Sequence, residues 1–93
     1  MKIPDKINIA GKQIDVIIDN KYCNINNAYG RVEYDRCRIY LDDYKISGVH
    51  KDVIEETFIH ECLHMINNIL GQNDDEATNK RTSELLYQVI KQI

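Results

Sequence analysis

The sequence predicts an α+β fold in which a small antiparallel sheet of two hairpins packs on a central helix and a C-terminal helix. Three observations support this class. Two early stretches alternate apolar and polar residues around short turns, a long later stretch is apolar on almost every side, and the final stretch carries one apolar stripe. A chain of 93 residues can build one modest core but not a second. We therefore expect a single domain spanning residues 1–93.

The first hairpin is predicted over residues 6–18, which alternate around Gly11 and Lys12. Glycine at the first central position of a two-residue loop suits a type II′ turn. The pairs that this turn predicts on one face of the hairpin are Ile9 with Ile14 and Ile7 with Val16. The segment 19–27 that follows is polar and rich in asparagine, which is typical of a loop.

The second hairpin is predicted over residues 29–42, around a two-residue turn at Asp35 and Arg36. The predicted pairs are Tyr34 with Cys37, Val32 with Ile39, and Gly30 with Leu41. This register makes one face apolar, and the residues that it places on the other face are Arg31, Glu33, Arg38 and Tyr40. Residues 43–48 then predict a connection with room for one helical turn.

A long helix is predicted from about Val49 or His50 to Leu70, where Gly71 ends it. Acidic residues in its first turns favour the positive end of the helix dipole. Its apolar residues are Val53, Ile54, Phe58, Ile59, Cys62, Leu63, Met65, Ile66, Ile69 and Leu70. Because they cover nearly the whole circumference, we expect this helix to be packed on several sides.

A final helix is predicted from about Asp75 to Gln92. Its predicted inner stripe consists of Leu86, Val89, Ile90 and Ile93, extended towards the N-terminus by Thr82, Ser83 and Asn79. Following this stripe upstream brings Glu76 to the inner face. A carboxylate is therefore expected where the final helix starts against the long one.

The long helix contains the pattern HExxH, at His60, Glu61 and His64. Residues four apart lie on one side of a helix, so the two imidazoles can bind one ion. Neutral imidazoles suit Zn²⁺, and a nearby glutamate can accept a proton from water held at an open coordination position. Ionisable groups in so apolar a helix need partners, and a metal ion would serve all three. A hydrogen-bonded histidine pair, or a polar cleft that meets water, is the alternative interpretation.

A catalytic zinc site takes three protein ligands, so one more is needed. Glu84 lies twenty residues after His64, a spacing similar to that of thermolysin-type enzymes, but its neighbours place it on the polar face. Glu76 lies twelve residues after His64 and on the inner stripe, and we choose it as the third ligand. The remaining candidates are Asp74, Asp75 and Asn79. Asn79 could also be an outer partner of a ligand, but a plain helix-face asparagine is the preferred interpretation.

Composition and charge exclude several classes of protein. The formal charge of -3 and pI near 5.5 argue against a dedicated binder of nucleic acid or anionic membranes. No stretch has the apolar length needed to cross a bilayer, and the first residues lack a signal-peptide pattern. Three cysteines without Cys-x-x-Cys spacing fit reduced thiols, so we expect a cytoplasmic protein. Cys62 points away from the two histidines and is interpreted as a core residue.

The chain resembles the small HExxH proteins of phages and prophages, which are minimal zincin-like metallopeptidases related to the gluzincin, ImmA/IrrE and SprT groups. The resemblance covers most of the chain. The segments that carry it are the strand pair at 9–18, the hairpin strands at 30–34 and 39–42, the motif at 57–64, and Leu-Tyr-Gln-Val-Ile at 86–90. HExxH is the most specific of these.

The resemblance implies Zn²⁺ bound by His60 and His64, with Glu61 as the catalytic base. Many such proteins carry an acidic pair before the final helix and a further glutamate one turn later. Here those positions read Glu76-Ala77 and Lys80, so Glu76 is the match. The implied function is a zinc-dependent metallopeptidase that hydrolyses a peptide bond in a host or phage protein, in the bacterial cytoplasm if the protein is phage-encoded.

Two other functions remain open at the level of sequence. One is a non-catalytic, zinc-stabilised protein-interaction module of phage origin, and the other is a metal-free structural domain. A small domain has little room for a deep specificity cleft, which argues against efficient proteolysis. For a peptidase, the substrate is expected to lie as an added strand on the sheet edge near the motif helix. The expected partner is a protein or peptide, and no oligomeric state follows from the sequence.

Overall fold

The strands and helices form a four-stranded sheet with one long helix packed against it. The computed structural model describes residues 1–93. The elements in chain order are β1 (Lys6–Ile9), β2 (Lys12–Ile18), α1 (Asn20–Ile25), β3 (Gly30–Glu33), β4 (Arg38–Leu41), α2 (Tyr44–Ser47), α3 (Lys51–Leu70) and α4 (Glu76–Lys91). The predicted α+β class, with two hairpins packed on a central and a C-terminal helix, is confirmed.

The sheet is mixed rather than purely antiparallel. Its strand order is β1-β2-β4-β3, and each hairpin is antiparallel. The two hairpins meet through a parallel pair, in which Asp15 lies beside Arg38 and Ile18 beside Leu41. This arises because the chain leaves β2, passes through α1 to the far edge, and returns to the centre along β4. As a result β3 is an edge strand.

The first hairpin forms, but its predicted register is wrong. Ile7 pairs with Ile14 and Ile9 pairs with Lys12, not with the partners expected from a turn at Gly11 and Lys12. The turn residues are Ala10 and Gly11, whose φ angles are 52° and 79°. Positive φ at both positions is the pattern of a type I′ turn, whose twist matches that of the flanking strands. Each of these β1 residues pairs two positions away from its predicted partner in β2. Because a shift of two residues preserves the alternation of faces, the isoleucines lie on the face predicted for them.

The predicted register of the second hairpin is confirmed, since Gly30 pairs with Leu41 and Val32 with Ile39. Its turn spans residues 34–37 and is closed by a hydrogen bond from the Cys37 amide to the Tyr34 carbonyl, 3.2 Å long. Residue 37 has a φ of 52°, which lets the chain reverse between the strands.

The segment predicted as a loop at 19–27 contains α1. The Asp19 side chain accepts a hydrogen bond from the Tyr22 amide at 2.9 Å and so caps this helix. The Tyr22 ring stacks on Tyr40 with 3.8 Å between ring centroids, which covers the outer face of the sheet. Cys23 is buried. The polar composition of this segment thus reflects capping and exposure rather than irregular backbone.

The core lies between the inner face of the sheet and α3. Its members are Ile14, Val16, Ile39, Leu41, Ile54, Phe58 and Met65. The predicted bounds of α3 agree with the structure within two residues, and Gly71 ends the helix in the left-handed conformation. No helix in the structure combines the length and the apolar character that crossing a membrane requires.

The predicted bounds of the final helix agree within one residue, but its predicted stripe is only partly confirmed: Asn79 and Ser83 are buried as predicted, whereas the apolar members of the stripe are not. The buried residues of α4 are Asn79, Ser83 and Tyr87, whereas Leu86 and Val89 are 40% and 54% exposed. The physical reason is polar contact with α3. The Tyr87 hydroxyl lies 2.7 Å from a carboxylate oxygen of Glu55, which is itself buried. These polar contacts orient α4 more strongly than its apolar residues do.

Candidate metal centre

His60 and His64 lie one turn apart on α3 and direct the same ring nitrogen to one point. Their Nε2 atoms are 3.1 Å apart, and the rings meet edge to face with 4.7 Å between centroids. A tetrahedral ion with metal–nitrogen bonds of 2.0–2.1 Å separates neighbouring ligand atoms by about 3.3 Å. The two imidazoles therefore have the spacing of a chelating pair. The group formed by His60, Glu61 and His64 could hold a metal ion.

Glu76, the predicted third ligand, reaches the histidine pair from the first turn of α4. Its Oε1 lies 2.8 Å from Nε2 of His60, and its Oε2 lies 2.8 Å from Nε2 of His64. The Glu76 side chain is 70% exposed, so this carboxylate approaches the pair from the solvent side. One donor atom from each imidazole and a carboxylate thus converge, which is the His₂Glu donor set of many catalytic zinc sites.

The other candidates for the third ligand do not join this cluster. Glu84 is exposed two turns further along α4 and forms no ion pair with either histidine. Asp75 is the N-terminal cap residue of α4, and its carboxylate accepts a hydrogen bond from the Thr78 hydroxyl. Cys62 is half-buried and packs against the hydrophobic core, as predicted.

Asp74 orients His64 from the side opposite the convergence point. Its Oδ2 lies 2.7 Å from Nδ1 of His64. If Nδ1 carries the proton and donates it to this carboxylate, Nε2 keeps a free lone pair directed at Glu76 and His60. A carboxylate in this outer position fixes the ring and makes the imidazole a stronger ligand. The sequence predicts Asp74 only as a reserve ligand, whereas in the structure Asp74 contacts Nδ1 of His64 and supports that ring from behind.

Asp74 is in turn held by three other side chains. Its Oδ1 accepts from Asn79 at 2.6 Å and from Asn67 at 3.3 Å, and its Oδ2 accepts from the Tyr34 hydroxyl at 3.2 Å. Burial alone would raise the pKa of Asp74, but the hydrogen bonds from His64, Asn67 and Asn79 outweigh it and lower the pKa to about 2. Asn79, for which a plain helix-face role was the preferred interpretation, is instead buried beside His64 and holds Asp74, the outer-partner position that was the alternative.

Glu61 lies between the histidine pair and the sheet, with 6% of its surface exposed. Burial raises the pKa of this carboxyl above its ordinary value; Glu76 and Asp74 add to the effect, and His60 and His64 oppose it. A carboxylate with a raised pKa is suited to accept and return a proton near neutral pH. This is the chemistry expected of the glutamate in HExxH.

Gly30 provides the space that Glu61 needs. A Cβ atom at position 30 would lie 2.5 Å from the Thr57 Cγ2 atom and 3.2 Å from the Glu61 Cγ atom. Only glycine therefore allows β3 to pass so close to the motif helix. Nothing in the sequence pattern distinguishes this close approach from an ordinary strand glycine, since it depends on how the sheet sits on α3.

Two grooves on the surface are candidates for a ligand-binding site. The larger, of about 470 Å³, lies beside Met1 and Tyr44 and contains no histidine. A groove of about 430 Å³ runs between α3 and α4 and is lined by His60 and Glu76. We place the functional site at the second groove, because its walls include two of the three converging residues, His60 and Glu76. Comparison of the chain with protein-family models, with curated proteins and with solved structures finds no match.

Proposed function

We propose that the protein is a zinc-dependent metallopeptidase of the small phage zincin-like kind, which cleaves a peptide bond in a host or phage protein in the bacterial cytoplasm. The convergence of His60 Nε2, His64 Nε2 and the Glu76 carboxylate within 3.1 Å of one another is the observation that supports it. Two imidazoles and one carboxylate are a donor set that zinc takes in hydrolases. The carboxylate of Glu61 beside them supplies the base that hydrolysis requires.

Zinc bound by these three residues would supply a Lewis acid that polarises the scissile carbonyl and lowers the pKa of a water molecule. Glu61 accepts the proton of the attacking water and delivers it to the leaving amine, so the carboxyl ends the cycle ionised as it began. His64 remains in one tautomer because Asp74 accepts from its Nδ1 at 2.7 Å.

The edge strand β3 is positioned to bind an extended substrate. Gly30, at its start, lies against Glu61, and Tyr34, just after its end, donates a hydrogen bond to Asp74. The strand therefore runs alongside the motif segment of α3, with its outer edge unpaired. A peptide added to this edge would gain backbone hydrogen bonds and present its carbonyl groups next to the zinc ligands.

Replacement of Glu61 by Gln tests the proposal. We expect about one zinc per chain in both wild type and Glu61→Gln, and loss of peptide hydrolysis by at least 100-fold in the variant, since general base catalysis contributes about 10²–10⁴-fold. Glu84→Gln is the matched control and should keep both zinc and activity. Zinc content well below one per chain in the wild type, or cleavage by Glu61→Gln at the wild-type rate, would contradict the proposal.

A non-catalytic zinc-stabilised interaction module is the second candidate, and one observation favours it. The Glu76 carboxylate contacts both Nε2 atoms from the solvent side, and Glu61 has only 6% of its surface exposed, so substrate access to the base is narrow. A module of this kind would bind zinc and its partner equally well with Gln at position 61, and neither protein would cleave the partner.

A further inference from the structure

The groove between α3 and α4 contains one ammonium group beside the proposed zinc ligands. Lys80 lines the groove together with His60 and Glu76, and it is the one lysine or arginine that does so. It lies one helical turn after Glu76, so the two side chains start about 5–6 Å apart. Lys80 forms no ion pair within the chain, whereas Lys91 on the same helix binds Asp52 at 2.8 Å.

The two hydroxyl groups that line the groove are already used in hydrogen bonds, so the Lys80 ammonium is its cationic donor. The Thr57 hydroxyl donates to the Val53 carbonyl at 2.6 Å, and the Ser83 hydroxyl donates to the Lys80 carbonyl at 2.9 Å. Both hydroxyl protons are therefore used within their own helices. Glu56 also lines the groove, one turn before His60, so its carboxylate stands towards the histidine side of the groove as Lys80 stands towards Glu76.

We infer that this groove is the subsite for a substrate carboxylate, bound by the Lys80 ammonium next to the hydrolytic centre. The substrate class is then a peptide with a negative charge at the residue adjoining the scissile bond. That charge comes either from an acidic side chain or from the peptide's own terminal carboxylate. The inference rests on the proposed function, because it needs zinc at His60, His64 and Glu76 to place the scissile bond.

Three small thiols test the inference with binding as the readout. Thiols bind zinc through sulfur, so each can be anchored at the centre. The probes are mercaptoacetyl-aspartic acid amide, mercaptoacetyl-glycine with a free carboxylate, and the neutral mercaptoacetyl-asparagine amide. Calorimetric titration of zinc-loaded protein gives their dissociation constants. We expect at least one acidic probe to bind about tenfold more tightly than the neutral probe, and the preferred one identifies the source of the carboxylate.

The variants separate Lys80 from general charge. In Lys80→Gln the preference should fall to within about twofold, whereas Arg81→Gln, with the same change in charge on another side of α4, should retain it. Glu56→Gln should leave the preference intact or increase it. All three substituted side chains are at least partly exposed, so the variants should fold, which circular dichroism checks.

The outcomes distinguish this inference from the proposed function. If all three probes bind zinc-loaded wild type equally, or if Lys80→Gln keeps the preference, the carboxylate subsite is overturned while the zinc centre stands. If purified protein takes up no zinc and binds none of the thiols, the proposed function fails and the subsite fails with it. A preference lost in Lys80→Gln and retained in Arg81→Gln supports the inference.

Discussion

At the scale of single residues, the centre depends on side chains that do not themselves touch the convergence point. Asp74 orients His64, and Asn67, Asn79 and Tyr34 hold Asp74. These groups come from the second hairpin, α3, the loop before α4 and α4 itself. The orientation of the His64 imidazole therefore depends on four segments, so a small shift of any of them would move the histidine pair.

Tyr87 provides the clearest test of how α4 is attached to α3. Its hydroxyl lies 2.7 Å from Glu55 Oε1 and 3.0 Å from Asp52 Oδ1, so it donates to a carboxylate in either case. Tyr87→Phe removes that donor and leaves the buried Glu55 with less compensation. Because hydrogen bonds to charged groups contribute about 1.5–3 kcal/mol, we expect a loss of unfolding free energy of that size. Urea denaturation at pH 7 measures it.

The same contact predicts a dependence on pH. Burial alone would raise the pKa of Glu55, but the hydrogen bonds from Tyr87 and the Met1 ammonium outweigh it and leave the pKa below its ordinary value of 4.5. A carboxyl with a lowered folded-state pKa contributes stability above its unfolded-state pKa and loses it as pH falls through the folded-state value. The loss of unfolding free energy caused by Tyr87→Phe should therefore be constant above about pH 5 and become smaller as the pH falls below that value. A cost that grows on acidification would contradict this assignment.

At the scale of elements, the packing of β3 on α3 decides how close this edge strand lies to the motif. Gly30→Ala would place a methyl group 2.5 Å from Thr57 Cγ2, so strand and helix must separate. Overpacking of this kind costs about 1–3 kcal/mol of unfolding free energy.

A double-mutant cycle tests the origin of that cost. Thr57→Ser removes the methyl group that the new alanine would meet and keeps the hydroxyl that donates to Val53. We expect the double variant to recover part of the loss, with a coupling of at least about 0.5 kcal/mol in chemical denaturation. Strict additivity of the two substitutions would show that the clash lies elsewhere.

The exposed side of α4 gives a second prediction at this scale. Val89 and Leu85 are 54% and 62% exposed, although a helix packed through its apolar stripe would bury Val89. Val89→Gln and Leu85→Gln should each change the unfolding free energy by no more than about 0.5 kcal/mol, as surface substitutions do. Thermal and urea unfolding of both variants measure this. A loss of 2 kcal/mol or more at Val89 alone would favour the orientation predicted from sequence.

At the scale of the whole molecule, the proposed zinc ion would join the two long helices. His60 and His64 belong to α3 and Glu76 to α4, so an ion bound by all three opposes their separation. Zinc at 100 times its dissociation constant would add about 2.7 kcal/mol to the unfolding free energy. For a domain of this size, that corresponds to an increase in Tm of roughly 10–20 °C.

Thermal unfolding with zinc and with excess chelator measures this increase. The variant His60→Ala/His64→Ala should show the same Tm in both conditions, whereas Glu84→Gln should respond as the wild type does. An equal Tm for wild-type protein with and without zinc would contradict a stabilising ion at this position.

Most of the fold could be predicted, because its signals are local. The bounds of α3 follow from a continuous apolar helix ended by Gly71, and the register of the second hairpin follows from its alternation. The register predicted for the first hairpin was wrong because Ala10, a residue with no special preference for positive φ, adopts a positive φ in the turn. The helix at 20–25 was not predicted because asparagine favours both turns and helix caps, so its presence does not distinguish them. The stacking of Tyr22 on Tyr40 is a long-range contact, which local sequence does not reveal.

The sequence by itself determined the histidine pair and its glutamate, since the spacing of HExxH places them on one helix whatever the rest of the chain does. Only the tertiary structure decided that Glu76 meets both imidazoles, that Asp74 supports one of them, and that Gly30 makes room for Glu61. Spacing within a helix is set by its own backbone, whereas these three contacts depend on how separate elements pack. For α4 that packing was decided by buried polar partners, which an apolar pattern does not reveal.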